Sequence, residues 1–115
     1  VDGFDPNLGA GTPYPCEDID FCARASADGW SGGFFPEPTV HHDHGRRPGP
    51  EAAQVRRDYA RGRGAYYAKV ILDCPDLRED CLKWWFWTLR SSSLQTVSRE
   101  LLYSFRYLAD RVLAG

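Results

Sequence analysis

The sequence predicts an α+β fold, in which a loop and one helix are followed by two short strands and then by three more helices. Three observations predict this order. Apolar residues recur at helical spacing in four separate segments. Between the first and the second of these segments lie two short runs of aromatic and β-branched residues, which are typical of strands. With 115 residues, of which 43% are hydrophobic, the chain is one domain or part of one and can form a small core.

The first helix is expected at residues 17–28, after a loop rich in glycine and proline at residues 1–15. Its start is favoured by Glu17 and Asp18, because the positive end of the helix dipole attracts negative charge. Its end is expected at Gly29, since glycine is the commonest residue just past a helix.

Two short strands are expected next, at residues 30–35 and at residues 39–42. Pro36 would stop the first strand because proline cannot donate to a sheet. A charged loop then leads to Pro50, a residue that favours the first turn of a helix. We therefore divide the chain into an α+β part, residues 1–49, and a helical extension, residues 50–115.

Three helices are expected in the extension, at residues 51–72, 77–89 and 94–113. Pro75 separates the first two, because the residue before a proline avoids the helical conformation. The last helix has an apolar stripe typical of a packed face. Its members are Leu94, Val97, Leu101, Leu102, Phe105, Leu108 and Val112.

The charge balance limits the classes of partner. A net charge of −2 gives no reason to expect a nucleic-acid-binding protein. Residues 1–45 hold eight acids and one base, whereas residues 46–111 hold the other thirteen Lys and Arg. The acidic half suits metal or hydroxyl chemistry, and the basic half suits phosphate or an anionic surface.

Cysteine and methionine usage predicts the compartment and the origin of the chain. The four cysteines are spaced unlike a zinc ribbon or a redox motif, so we expect reduced, mostly buried thiols and a cytoplasmic protein. The absence of methionine leads us to expect a cut piece or a processed product. No run of about eighteen apolar residues occurs, so no membrane-spanning helix is expected.

Three acids, Glu17, Asp18 and Asp20, lie within four residues at the start of the first helix. One interpretation is a helix start stabilised by its dipole, with Asp20 paired to Arg24 one turn later. The other is a catalytic acid at a loop-to-helix junction, after a glycine-rich loop that lets a substrate approach. The residues alone leave both interpretations open.

Three histidines and a carboxylate lie together at residues 41–44 and could bind a divalent ion. In an extended segment His42 and His44 project to the same side. Arg46 and Arg47 follow and could bind a phosphate through their guanidinium forks. The alternatives are a solvated loop whose histidines pack on aromatic residues, and an ordinary pair of surface arginines.

An aromatic run at residues 84–87, Trp-Trp-Phe-Trp, stands out in the extension. Aromatic clusters usually pack between helices. Successive helical residues step about 100° around the axis, so these four cannot all face one core. We therefore expect part of the run at a protein interface or at a membrane surface.

In order and spacing, these motifs resemble family-two inverting glycosyltransferases of the GT-A fold, over about residues 1–70. The first segments that carry the resemblance are Gly3-Phe4-Asp5, Leu8-Gly9-Ala10-Gly11, Glu17-Asp18-x-Asp20-Phe21-Cys22-x-Arg24 and Asp28-Gly29-Trp30. The later ones are Pro36-Glu37-Pro38, Val40-x-His42-x-His44-Gly45-Arg46-Arg47 and Arg61-Gly62-Arg63-Gly64-Ala65-Tyr66-Tyr67-Ala68-Lys69. The resemblance implies that residues 1–49 are the acceptor-side part of a GT-A domain.

The resemblance also implies the roles of individual residues. Asp18 would be the general base that removes the proton of an acceptor hydroxyl as that oxygen attacks the anomeric carbon. Glu17, Asp5 and Trp30 would bind the acceptor, or in the case of the acids shape the loop. A divalent ion, Mg²⁺ or Mn²⁺, would hold the diphosphate leaving group. His42 and His44 would bind the ion, and Arg46 and Arg47 would bind the diphosphate.

The resemblance further implies partners and a location. The donor would be a nucleoside-diphosphate sugar, and the acceptor a glycan or a lipid-linked glycan. The donor-binding half of the domain, with its Asp-x-Asp metal motif, would precede these residues, so the 115 residues by themselves are expected to be inactive. We expect the protein in the cytoplasm, in peripheral contact with the inner face of the membrane.

Two other classes of function fit parts of the sequence. One is a non-catalytic helical interaction or membrane-docking module built around the aromatic run at residues 84–87. The other is a small structural zinc domain that uses His42, His44 and cysteines. Metal content would distinguish the zinc domain from the rest.

Overall fold

A computed structural model of the chain describes residues 2–41, 43, 45 and 49–114. This part of the chain contains four α-helices and no β-strand. The helices are α1 (Glu17–Ala27), α2 (Pro50–Asp73), α3 (Pro75–Arg90) and α4 (Leu94–Ala114). The four helices expected from the sequence are confirmed, with ends that differ by one or two residues.

The helix ends follow from local chemistry. α1 ends at Ala27, two residues before Gly29, whose φ of 86° suits glycine, and the N–H of Trp30 donates to the carbonyl of Ala25 (3.0 Å). Pro75 occupies the first turn of α3, which explains why this helix starts before residue 77. Ser93 precedes α4, and its Oγ accepts a hydrogen bond from the N–H of Thr96 (3.3 Å).

The predicted α+β class is wrong for the described residues, because the two expected strands do not form. Residues 30–41 contain no strand, and Phe34 is 90% exposed. A strand is stable only when a neighbouring strand accepts its hydrogen bonds, and this segment has no such neighbour among the described residues. Residues 32 and 33 are both glycine, which further weakens an extended segment. His42, at the end of the second expected strand, lies outside the described residues.

The long helix α2 is the centre of the structure. α3 runs antiparallel to it, since Arg78 bonds the carbonyl of Ile71 (2.6 Å) and Trp85 stacks on Tyr67 (5.3 Å between ring centroids). α4 runs parallel to α2. Two ion pairs at its opposite ends fix this direction: Arg63–Glu100 (2.7 Å) and Asp73–Arg111 (2.8 Å).

Glycines allow the close approach of α2 to its neighbours. A Cβ on Gly64 would lie 2.2 Å from the carbonyl oxygen of Glu100 in α4. A Cβ on Gly62 would lie 1.8 Å from the carbonyl oxygen of Pro15, in the loop before α1. Both distances are far below van der Waals contact, so any larger residue would push the loop or α4 away from α2.

One core joins the N-terminal loop to the helical extension. Its buried residues are Leu8, Tyr14, Cys16, Ala65, Ala68 and Tyr107. The hydroxyl of Tyr14 also donates a hydrogen bond to the carboxylate of Asp110. The parts before and after residue 49 therefore share their interior, and their separation into two domains stays a prediction.

Most of the apolar stripe of α4 faces away from the core, although Leu108 packs against it. The buried residues of this helix are Glu100, Ser104 and Tyr107, whereas Leu94 and Phe105 of the stripe are 85% and 69% exposed. Part of this buried face approaches Gly64 of α2, whose missing Cβ makes room for the backbone of Glu100 and Ser104. α4 thus packs through a face that combines polar side chains with Tyr107 and Leu108, which hydrophobic periodicity does not predict.

Candidate active site

The loop before α1 is held open by two glycine turns. The N–H of Gly9 donates to the carbonyl of Tyr14 (2.9 Å), and the carbonyl of Gly9 accepts from the N–H of Thr12 (3.0 Å). Gly9 and Gly11 have φ values of 90° and 87°, a region that L side chains rarely adopt. A Cβ on Gly9 would lie 2.7 Å from Cδ of Glu17, so this glycine also makes room for the Glu17 side chain.

The carboxylate of Asp20 is buried and ion-paired. It is 1% exposed, and it pairs with Arg24 through Oδ2 (2.9 Å) and with Lys69 through Oδ1 (2.6 Å). The pairing of Asp20 with Arg24, one of the two interpretations of the acidic cluster, is confirmed. Arg24 also donates to the carbonyls of Asp2 (2.7 Å) and Gly3 (2.8 Å), which ties α1 to the start of the chain.

Asp5 joins the same charge network. Its carboxylate lies 2.7 Å from Nζ of Lys69 and accepts the N–H of Asn7 (2.8 Å). Burial alone would raise the pKa of Asp5, but the hydrogen bonds and the positive charge of Lys69 outweigh it and hold the pKa below its ordinary value. Through these contacts Asp5 helps to shape the loop. That Asp5 binds an acceptor stays a prediction.

Asp18 points away from this network. Its side chain is exposed, and its Oδ1 accepts the N–H of Ile19 (2.8 Å). Within the described part of the chain it forms no ion pair, whereas Asp20, two residues later, forms two. The start of α1 therefore separates one inward acid from one outward acid, because successive helical residues are about 100° apart.

A groove of about 470 Å³ lies between the glycine turns and α2. We call it the loop groove. It is lined by residues 9–13, Pro15, Glu17, Val55, Asp58, Tyr59 and Arg61. α1 reaches it through Glu17, the residue just before Asp18.

The α2 side of the loop groove carries polar and aromatic groups. Asp58 pairs with Arg61 (3.4 Å), which also lies 5.2 Å from the ring centroid of Tyr103. Tyr59 is 55% exposed. Sequence reasoning missed Asp58, Tyr59 and Arg61, because polar residues on an exposed helix face give no signal that separates a binding surface from a solvated one.

Trp30 lies away from the acids. Its backbone closes the C-terminal end of α1 through the carbonyl of Ala25, and its side chain is 68% exposed. At 1.5 Å per residue, α1 separates Trp30 from Asp18 by roughly 15 Å. The structure therefore brings Glu17 and Asp18 together but leaves Trp30 at the far end of the helix.

The expected metal and diphosphate ligands, His42, His44, Arg46 and Arg47, lie outside the described residues. In residues 2–41, 43, 45 and 49–114, no group of three His, Cys, Asp or Glu side chains is arranged to hold a metal ion. The described residues thus supply no metal site, and a divalent ion stays a prediction that rests on the undescribed histidines.

The four cysteines are free. Cys16 and Cys81 are buried, Cys74 is half-buried and Cys22 is exposed. Burial, together with the nearby charges of Asp20 and Glu17, raises the pKa of Cys16 to about 12. Its thiol is therefore protonated at neutral pH and is not a nucleophile.

Comparisons with known proteins identify no relative. No protein-family model, no curated protein and no solved structure matches this chain. Among the described residues, no helix has the length and the apolar character needed to cross a bilayer. The case for a function therefore rests on the geometry of the site and on the sequence motifs.

Proposed function

We propose that these residues form the acceptor side of an inverting sugar transferase, in which Asp18 is the general base. The observation that carries the proposal is the separation of the three acids at the start of α1. Asp20 is buried in two ion pairs, Glu17 lines the loop groove, and Asp18 is exposed and forms no ion pair within the described residues. Of the three, Asp18 is the exposed carboxylate, and it directly follows Glu17, which lines the groove.

In the proposed reaction, a hydroxyl of the acceptor attacks the anomeric carbon of a nucleoside-diphosphate sugar. The bond from that carbon to the diphosphate oxygen breaks, and its electron pair leaves with the diphosphate. The hydroxyl proton passes to a carboxylate oxygen of Asp18. A carboxylate can take this proton because the hydroxyl becomes acidic as its new bond to carbon forms. Attack opposite the leaving group inverts the anomeric configuration.

The loop groove is the proposed acceptor site. Its volume of about 470 Å³ is within the range of small-ligand pockets. Carboxylates such as Glu17 and Asp58 accept hydrogen bonds from hydroxyl groups. The exposed ring of Tyr59 offers an apolar face with a polar tip. A polyhydroxylated ligand therefore fits this lining better than an apolar one.

The donor is proposed to bind to a nucleotide-binding half of the domain outside these 115 residues. A divalent ion, if held by His42 and His44, would neutralise charge on the diphosphate. The described residues offer no such donor set, so no step above is assigned to a metal. We also propose a cytoplasmic location, which the four free cysteines support.

The class of reaction can be tested on the complete protein that carries both halves of the domain. It would be incubated with a panel of uridine and guanosine diphosphate sugars, with and without oligosaccharide acceptors. We expect release of nucleoside diphosphate that depends on acceptor, and a product whose anomeric configuration, read by NMR, is opposite to that of the donor. A folded protein that releases no nucleotide across the panel, or a product with retained configuration, would contradict the proposal.

A further inference from the structure

The aromatic run at residues 84–87 is divided between the interior and the surface. Trp85 points inward, where its Nε1 donates to Oε2 of Glu100 (3.1 Å) and its ring stacks on Tyr67. Trp84, Phe86 and Trp87 are 69%, 61% and 65% exposed. The expectation that the four cannot all be buried is confirmed, and nothing in the described part of the chain covers the other three aromatic side chains.

These exposed aromatics flank two cations around the outer half of α3. At about 100° per residue, with Trp85 facing inward, the outer arc reads in order Phe86, Arg90, Lys83, Trp87 and Trp84. Leu82 and Leu94, at 47% and 85% exposed, extend the apolar surface along the α3–α4 hairpin. We call residues 82–94 the hairpin tip.

The hairpin tip has one sign of charge. Residues 81–99 contain Lys83, Arg90 and Arg99 and no Asp or Glu. Glu100, the next acid along the chain, is fully buried and paired with Arg63 (2.7 Å). The acids of α3 lie in its first half; of these, Glu79 pairs with Lys83 (2.6 Å). The rest of the chain is acidic overall, since the net charge is −2.

We propose that the hairpin tip docks on the surface of an anionic lipid bilayer. Tryptophan favours the headgroup region because its ring is apolar and its N–H is polar. Lysine and arginine beside it attract anionic headgroups and keep their charges in water while their stems lie against apolar groups. A cationic, aromatic surface of this kind on an acidic protein would meet the bilayer with α3 and the start of α4 at the lipid.

A second copy of this chain is a poorer occupant. A symmetric dimer through the hairpin tip would bring two copies of the same cationic surface together, and residues 81–99 supply no acid to pair with Arg90. Like charges facing each other at an interface oppose association. A bilayer of anionic lipid has the complementary charge.

Flotation with vesicles tests this proposal on the 115-residue chain. Vesicles of phosphatidylcholine with about one third phosphatidylglycerol would be compared with pure phosphatidylcholine, at low salt and at about 0.5 M salt. We expect binding to the anionic vesicles at low salt, and weaker binding at high salt or to neutral vesicles. Trp84→Ala/Trp87→Ala should weaken it at least roughly tenfold, and Lys83→Gln/Arg90→Gln should remove the preference for anionic lipid.

The matched control is Phe34→Ala/Phe35→Ala, which removes two aromatics that are 90% and 69% exposed but lie outside the hairpin tip. It should bind like the unmodified chain. Circular dichroism checks that each variant is folded, which is expected because the substituted side chains are exposed. Three results would overturn the proposal: no flotation at low salt, equal flotation of the tryptophan variant, or a lipid-free dimer that the tryptophan variant dissociates.

Discussion

Replacing Lys69 by methionine removes the cation that holds α1 and the N-terminal loop against α2. Lys69 is 6% exposed, and its Nζ lies 2.7 Å from Asp5 and 2.6 Å from Asp20. Methionine keeps most of the apolar stem but leaves Oδ1 of Asp20 without its ion-pair partner, while Oδ2 keeps Arg24 (2.9 Å). We therefore expect a clear loss of stability without a large cavity.

The magnitude follows from how much of the network survives. Breaking a buried ion pair from one side costs about 3–5 kcal/mol when the remaining charge has no other partner. Since one of the two carboxylate oxygens of Asp20 keeps Arg24, about half of this, roughly 2 kcal/mol, is expected. For a domain of this size that lowers Tm by roughly 8 °C. Urea unfolding followed by far-UV circular dichroism measures the change.

Lys83→Met is the matched control, because it is the same substitution in an exposed ion pair. The side chains of Lys83 and Glu79 are 61% and 82% exposed, so no measurable change in stability is expected. In the Lys69→Met background, Asp20→Asn should recover part of the loss, since it removes the charge left behind. Equal stability of Lys69→Met and Lys83→Met would refute the reasoning that the buried network holds α1 in place.

Three further predictions concern packing, acid stability and thiol reactivity. Gly64→Ala should lower the free energy of unfolding by about 1–3 kcal/mol, despite the better helix propensity of alanine. Gly32→Ala is the control and should not lower it, because nothing lies within 4 Å of the new Cβ. Urea unfolding compares the two variants, and equal stability would contradict the close helix contact. The pKa of Asp5 is held below its ordinary 3.8, so its stabilising effect is full above pH 3.8 and is lost as the pH falls through the lowered pKa. The difference in stability between the unmodified chain and Asp5→Asn should therefore shrink over that range. A difference that grows with acid would contradict the ion pair of Asp5 with Lys69. Iodoacetamide should alkylate exposed Cys22 well before buried Cys16, as read by mass spectrometry, and similar rates would contradict the burial and the raised pKa of Cys16.

The helices could be predicted from the sequence because their signals are local. Apolar periodicity, Pro50 at a helix start, Pro75 as the break between two helices and Gly29 after a helix end are each recognised within a few residues. The absence of the two expected strands from the described residues could not be predicted, because a strand forms only with a partner elsewhere in the chain. The aromatic residues of segment 30–35 fit a strand, yet no described segment pairs with them.

The packing partners of the helices also could not be predicted from the sequence. Most of the apolar stripe of α4 indicated the wrong face, because α4 instead approaches Gly64 of α2 through its backbone at Glu100 and Ser104. Likewise the pair Asp20–Arg24 has i, i+4 spacing and was predictable, but the contact of Asp20 with Lys69 spans the chain and was not. Contacts between distant residues leave no trace in local spacing.

For the candidate site, the sequence supplied the acids but not their separation. Glu17, Asp18 and Asp20 were recognised as a cluster, but only the structure shows that Asp20 is buried, Glu17 half-buried and Asp18 exposed. The α2 side of the loop groove, with Asp58 and Tyr59, was missed altogether. Only the fold brings those side chains opposite the glycine turns.

The most direct test of the proposed function compares Asp18→Asn with Asp76→Asn in a protein that carries both halves of the proposed transferase domain. Asp76 is an apt control because, like Asp18, it is an exposed acid at the second position of its helix, so both substitutions remove the same helix-dipole interaction. Turnover and donor affinity would be measured for both. We predict that Asp18→Asn lowers turnover by at least roughly 100-fold with little change in donor affinity, while Asp76→Asn has no effect on either. Turnover of Asp18→Asn within about threefold of the unmodified enzyme would contradict the assignment of Asp18 as the base.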